Sequence, residues 1–300
     1  MVKINESLKK VLDVAQEEDI ELLEHFAKNS KKGDVFLSMI APYVGVKISP
    51  SRVATASIGL SEEFGIESVL EQIKKKRSND CTLYLLINSP GGLVTSSYKV
   101  TRALRKSFKN IIVFVPHIAA SGGTLVALTG NKIVMGMMSQ ITPLDPQTGD
   151  KSVNNVVRGF ETITQYFETT SEKDAPYSYK ILAQKYDAIE LDKAISNIQL
   201  MKKYIREILE NANYKKDDVE RIANKLVTGF YTHSDVIHFD EAKSINLNVV
   251  PNTEYAELWD AFRDMLGKYV LESADKHILR YWVNDGELYG KKNNGKIKKN

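Results

Sequence analysis

The sequence predicts an α/β fold built around a largely parallel sheet. Three observations predict it. Short apolar runs rich in β-formers alternate with amphipathic stretches between Ser51 and Gly136. Two of these runs, TLYLLIN (Thr82 to Asn88) and IIVFVP (Ile111 to Pro116), are almost continuously apolar, as strands buried on both faces must be. Each is followed by a glycine-bearing turn, SPGG after the first and AASGG after the second. Strands that alternate with helices pair in parallel, because the crossover helix returns the chain to the same end of the sheet.

The elements follow in order. Leu8, Val11, Leu12, Ile20, Leu22, Leu23 and Phe26 recur at helical spacing, and breaks fall between Asn29 and Asp34. Residues 1–50 are therefore expected to form a helical appendage, packed on the core or on another subunit. RVATASI, from Arg52, reads as a strand. Phe64 to Arg77 reads as an amphipathic helix whose basic last turn suits the helix dipole. Thr82 to Asn88 is a buried strand, Thr95 to Phe108 a helix, and Ile111 to Pro116 the next strand. A short apolar helix should run to about Leu128, and KIVMG (Lys132 to Gly136) is a further strand. Beyond it the pattern is mainly helical: Val153 to Tyr166, Ala188 to Asn211, Lys215 to Leu226, a helix from Phe239, and Glu254 to Tyr269. YGKKNNGKIKKN closes the chain as a polar basic tail with the composition of a disordered segment. The division expected is residues 1–50 as the appendage, 51–251 as the α/β domain, and 252–300 as a C-terminal helix and tail.

Composition narrows the function classes. Of 300 residues, 43% are hydrophobic and 26% charged, enough apolar material for a sizeable core. A net charge of +3 is too near balance to argue for nucleic acid. The single cysteine, Cys81, excludes an intrachain disulfide framework and a cysteine zinc site. A reducing, cytoplasmic setting is expected. The first residues mix charges through every turn and hold no apolar signal core. Ile111 to Leu128 is barely long enough to span a bilayer and carries Pro116, His117, Ser121, Gly122 and Gly123. It is expected to be a buried strand, turn and helix, and no membrane span is expected.

The two glycine turns carry the chemistry. In SPGG, Pro90 restricts the backbone while Gly91 and Gly92 free it, so neighbouring N–H groups can face one developing negative charge. A tight turn without a ligand would need the same residues. In AASGGT, Ser121 stands at a helix start, where a lone serine is commonly an N-cap. The small neighbours Ala119, Ala120, Gly122 and Gly123 also leave room to reach its hydroxyl. Both turns follow parallel strands, so both should open at the same sheet edge, where α/β sites gather. A serine nucleophile needs a base. His117, His233 and His238 are candidates, with His117 also readable as a structural residue; His25 and His277 are expected at the surface. Asp145, between two prolines in ITPLDPQTG, could orient a histidine. Lys173 and Lys180 are alternative bases, though TTSEKDAPYSYK is polar and a lysine base needs desolvation.

INSPGG, VPHIAASGGTLVAL, ITPLDPQTG and THSDVIHFDEAKSINL, in that order, resemble the serine dehydrogenase proteinase family of the Clp protease and crotonase superfamily. The likeness runs from about Ser51 to Pro251. It implies a spiral of β-β-α units and a Ser–Asp–His triad: Ser121 as nucleophile, Asp145 as orienting carboxylate and His233 as base. It implies oxyanion donors around Gly91, Gly92 and Gly122. It implies peptide or unfolded protein as substrate, assembly into homo-oligomers, and no metal or other cofactor. Related signal peptide peptidases use a Ser–Lys dyad, which keeps Lys173 as the alternative base. The family's late histidine is usually followed directly by aspartate; here Ser234 separates His233 from Asp235. Within the same superfamily, a crotonase-like acyl-CoA enzyme and a non-catalytic peptide-binding relative are the other readings.

Overall fold

The computed structural model describes residues 20–42, 47–49, 52–53, 56–77, 80–148, 151–270 and 277–284. In chain order its main elements begin with α1 (Ile20–Asn29), β1 (Val35–Ile40), α2 (Leu60–Lys74), β2 (Thr82–Asn88) and α3 (Val94–Ser107). Next come β3 (Asn110–Val115), β4 (Ile118–Ala119), α4 (Gly122–Ala127), β5 (Lys132–Met135) and β6 (Gln140–Ile141). Then follow α5 (Val153–Thr169), α6 (Tyr177–Gln184), α7 (Ala188–Asn211), α8 (Lys216–Thr228) and α9 (Phe239–Ser244). The last are β7 (Val249–Pro251), α10 (Ala256–Tyr269) and β8 (Ile278–Val283).

The main sheet has the strand order β7-β5-β3-β2-β1-β8. The pairs β7·β5, β5·β3, β3·β2 and β2·β1 are parallel, and β8 closes one edge antiparallel to β1. The continuous apolar runs follow from burial on both faces. Leu83, Leu85 and Ile87 of β2 pack with Ile66 and Val69 of α2, Leu104 of α3 and Leu125 of α4. The alternate residues Tyr84 and Leu86 pack on the opposite face with Phe26 of α1 and Trp259 and Phe262 of α10.

A second, small layer crosses the strand ends. Past β2, Ser89 bridges Ala119 of β4. Strand β4 pairs in parallel with β6, whose Ile141 bridges Ile237. Ile58 bridges Gly92 at the other side. Long strand, short extended piece and helix thus recur, which is the β-β-α repeat. The short pieces hold the turns that follow the long strands in one row.

Both chain ends differ from expectation. The appendage expected over residues 1–50 yields α1, but VFLSMI is an inner strand with all six residues buried. Six successive residues without a charge suit a strand covered on both faces, and the helical spacing stops at Phe26. The C-terminal helix is present as α10, but ILRYWV after it is the edge strand β8. RVATASI contributes Arg52–Val53, paired with Lys47–Ser49, and the single bridge at Ile58 rather than a strand of the main sheet. Helix α6 begins within TTSEKDAPYSYK, the stretch read above only as polar. Leu8, Val11, Leu12 and the basic tail lie outside the described residues. Among the described residues no helix is long and apolar enough to cross a membrane.

Phe114 of β3 is fully buried, with its ring centroid 4.7 Å from that of Phe262 and 5.5 Å from that of Tyr255. Phe114→Ala should cost about 3–5 kcal/mol in denaturant unfolding. A loss below about 1 kcal/mol would be inconsistent with this packing.

Candidate active site

Ser121 sits where the chain passes from β4 into α4. Its φ of 49° and ψ of −120° are unusual for a residue with a side chain and cost on the order of 1–3 kcal/mol. It occupies the N-cap position, yet its side chain makes no capping bond. The N-cap reading of this serine therefore does not hold. The turn is held through the backbone instead. Ser121 N–H donates to Thr142 Oγ1 at 2.8 Å, and Thr124 Oγ1 donates to the carbonyl of Thr142 at 3.0 Å.

The segment that braces this turn also carries Asp145. Asp145 is 5% exposed, and its Oδ1 lies 2.5 Å from Nδ1 of His233, 88 residues further along. Its Oδ2 accepts from Gln147 Nε2 and from Ser152 Oγ, both at 2.8 Å. Both carboxylate oxygens are thus engaged, as a buried charge requires. His233 keeps part of its ring exposed. Its loop is fixed by Asp235, whose carboxylate accepts from the N–H of Tyr231 at 2.8 Å and the hydroxyl of Thr232 at 2.9 Å. The backbone N–H of Thr232, at 3.2 Å, and its hydroxyl, with a smaller part from Tyr231 N–H, hold the exposed Asp235 carboxyl below its ordinary pKa. The residue separating His233 from Asp235 is therefore no obstacle: Asp235 shapes the loop and Asp145 meets the ring.

The glycine turn after β2 lies against Ser121. Gly91 has φ 101°, and a Cβ there would stand 2.6 Å from the carbonyl oxygen of Ala120 and 2.8 Å from Ser121 Cβ. Glycine is required on both counts. The Gly91 carbonyl accepts from Ile58 N–H at 2.7 Å. In a trans peptide the next N–H points the opposite way, so the Gly92 N–H is directed away from Ile58. Gly122 adjoins it, since a Cβ on Gly122 would stand 3.1 Å from Gly92 N. Neither the Gly92 nor the Gly122 N–H donates to another group among the described residues. The Gly91 N–H differs: it donates to Ser89 Oγ at 3.1 Å. Of the three glycines expected to supply oxyanion donors, Gly92 and Gly122 have N–H groups to offer, and Gly91 positions its neighbour.

The other candidates lie elsewhere. Lys173 is exposed in the connection between α5 and α6, and Lys180 is half-exposed on α6. His238 directs Nδ1 at the Ser139 carbonyl, 3.1 Å away, at the start of α9. His117 is half-buried, and its carbonyl accepts from Gln140 N–H. His25 is half-exposed, with Nδ1 3.7 Å from Glu257 Oε2. His277 overturns expectation. Placed at the surface by its nearness to the tail, it is 2% exposed, because the segment it begins is a strand of the sheet. Its Nε2 lies 2.8 Å from Ser89 Oγ, and its Nδ1 lies 3.4 Å from Oε1 of Glu62. The apolar run ILRYWV directly after His277 was the sequence signal that could have found it.

These side chains stand in a chain of known kinship. Residues 62–268 match the family described as ClpP-like SDH-type serine proteinases, and the chain belongs to that family. Two uncharacterised proteins of Methanocaldococcus jannaschii are similar in sequence. One is 30% identical over 62% of this chain and 59% of its own length; the other is 27% identical over 67% and 63%. The chain thus spans about six tenths of the length of these relatives. Among solved structures, a mutant of the 1510-N membrane-bound stomatin-specific protease aligns with a TM-score of 0.44 at 15% identity. That alignment covers 68% of this chain and 80% of the other. A mutant of ClpP1 from Listeria monocytogenes aligns with a TM-score of 0.41 at 14% identity, over 68% and 92%.

Glu62 yields a pH prediction. Burial alone would raise its pKa, but the hydrogen bond and charge of His277, with bonds from Gly59 N–H and the Ser61 hydroxyl, outweigh that and hold it at about 2. A carboxyl depressed on folding contributes stability that is complete above its ordinary 4.5 and is lost as pH falls towards about 2. Urea unfolding should therefore show the difference between wild type and Glu62→Gln shrinking across that window. A difference independent of pH there would contradict the pairing.

Proposed function

We propose that this protein hydrolyses peptide bonds by acyl transfer through Ser121. The observation that carries the reading is the 2.5 Å contact between Asp145 and His233, two residues far apart in the chain, beside the segment that braces the Ser121 turn. Asp145 accepts the Nδ1 hydrogen of His233, which leaves Nε2 with its lone pair as the base. His233 Nε2 takes the Ser121 Oγ proton as Oγ bonds to the peptide carbonyl carbon. The carbonyl oxygen becomes an oxyanion, held by the N–H groups of Gly92 and Gly122. The His233 proton then passes to the leaving amine, and the C–N bond breaks. Water attacks the acyl-enzyme with His233 again as base, releasing the carboxylic acid and restoring Ser121.

The unusual φ of Ser121 supports the same reading, because strain at a turn persists where the hydroxyl must face outwards rather than cap a helix. The exposed position of Lys173 disfavours the dyad, since nothing there desolvates an ammonium group. Substrates are extended peptides or unfolded protein segments, cut within the chain. The working form is a homo-oligomer associating through α7, where Ile189 and Ile195 are exposed. The one cysteine, buried, suits a cytoplasmic setting.

A fluorophosphonate probe should label wild type and leave Ser121→Ala unmodified; equal labelling would sink the assignment. His233→Ala should slow labelling and peptide hydrolysis by about 10²–10⁴, while Lys173→Ala leaves both within about twofold. The reverse pattern would make the lysine the base. Light scattering should return a mass several times that of one chain, and a monomer would rule out the α7 interface.

A further inference from the structure

We propose that Glu62, His277 and Ser89 form a buried relay that positions the oxyanion loop. The inference rests on the Ser121 reading and adds residues that reading does not use. The three side chains are 2%, 2% and 0% exposed and come from α2, the residue just before β8 and the residue just after β2. Polar groups so deeply buried are costly unless they satisfy one another.

The contacts form one line. Glu62 Oε1 accepts from the backbone N–H of His277 at 3.2 Å and lies at ion-pair distance, 3.4 Å, from its Nδ1. Nε2 lies 2.8 Å from Ser89 Oγ, and that oxygen accepts from Gly91 N–H at 3.1 Å. In the neutral ring the one hydrogen belongs on Nδ1, because a carboxylate only accepts; it faces Glu62 at ion-pair distance without a formed hydrogen bond. Nε2 then accepts from the Ser89 hydroxyl, which leaves the lone pairs of Oγ for Gly91. The order of acid, imidazole and hydroxyl is that of a nucleophile relay. Here it ends on a backbone amide, and Ser89 has no exposed surface from which to attack anything.

Its effect is mechanical. Ser89 holds the N–H of Gly91 and Ile58 holds its carbonyl, so both peptide planes flanking this residue are tied at φ 101°. The second plane carries the Gly92 N–H. Release of the Ser89 bond frees the first plane, so Gly91 is held on one side only and the second plane can turn about its single tie to Ile58. Glu62, His277 and Ser89 are positioning residues, and they link the C-terminal edge strand to the loop beside Ser121.

Amide hydrogen exchange over residues 89–93 tests this in the full chain with Ser89→Ala and Glu62→Gln. The glutamine keeps an acceptor for Gly59 N–H, which Glu62 binds at 2.8 Å, so the start of α2 stays capped. Exchange at the bonded amides of Gly91 and Leu93 should quicken about tenfold in both variants while β3 stays protected, as loss of one hydrogen bond implies. In phosphonate labelling, the maximal rate should fall about tenfold with the probe's binding constant unchanged. Unchanged exchange in both variants overturns the relay. So does exchange that quickens equally in β3, which would mean general destabilisation. Should wild type take no probe, the Ser121 reading fails alone, because the exchange measurement needs no catalysis.

Discussion

The parallel pairing of β2 with β3 is the constraint on which the rest of the structure depends. Adjacent parallel strands end at the same edge of their sheet, so the turns that follow them stand side by side. Here the register sets Leu86 opposite Phe114, and the two glycine turns meet a few residues later. Gly91 then lies within van der Waals contact of Ser121, closer than any side chain would permit. An antiparallel partner would have sent the second turn to the far end of the sheet and left the serine without neighbouring donors.

The site is costly, and the surrounding polar network offsets the cost. A backbone outlier at Ser121, a buried carboxylate at Asp145 and another at Glu62 each oppose folding when taken alone. Each is met locally. Thr142 ties the Ser121 amide, Gln147 and Ser152 fill the second oxygen of Asp145, and Gly59 and Ser61 bond Glu62. Apart from Gln147 these partners are short hydroxyl side chains or backbone groups, which lose little rotamer entropy in making their bonds.

Two acid–imidazole pairs flank the glycine turns, and their surroundings separate them. Asp145 with His233 keeps part of the ring in solvent, where a proton can come and go. Glu62 with His277 is sealed, and its ring meets a serine that solvent does not reach. On the reading proposed above, an acid–imidazole pair serves proton exchange in one place and rigidity in the other. Exposure, rather than residue type, draws the distinction.

The sequence by itself determined the sheet-forming runs, their alternation with helices, and the placing of glycines and Ser121 at the turns. These are local properties, set by hydrophobic period and by the backbone freedom of glycine. It also offered Asp145, held between two prolines, as a candidate to orient a histidine. The motif likeness offered His233 as the base beside Asp145; only the tertiary structure brought the two side chains together and set His277 against Glu62. His233 and His277 lie in polar or terminal-looking stretches, and their partners stand 88 and 215 residues away. VFLSMI and ILRYWV became strands for the same reason: their hydrogen-bonding partners are each other, separated by most of the chain. Pairing over such distances is settled by what the closed sheet brings into reach, and no local pattern in the sequence encodes it.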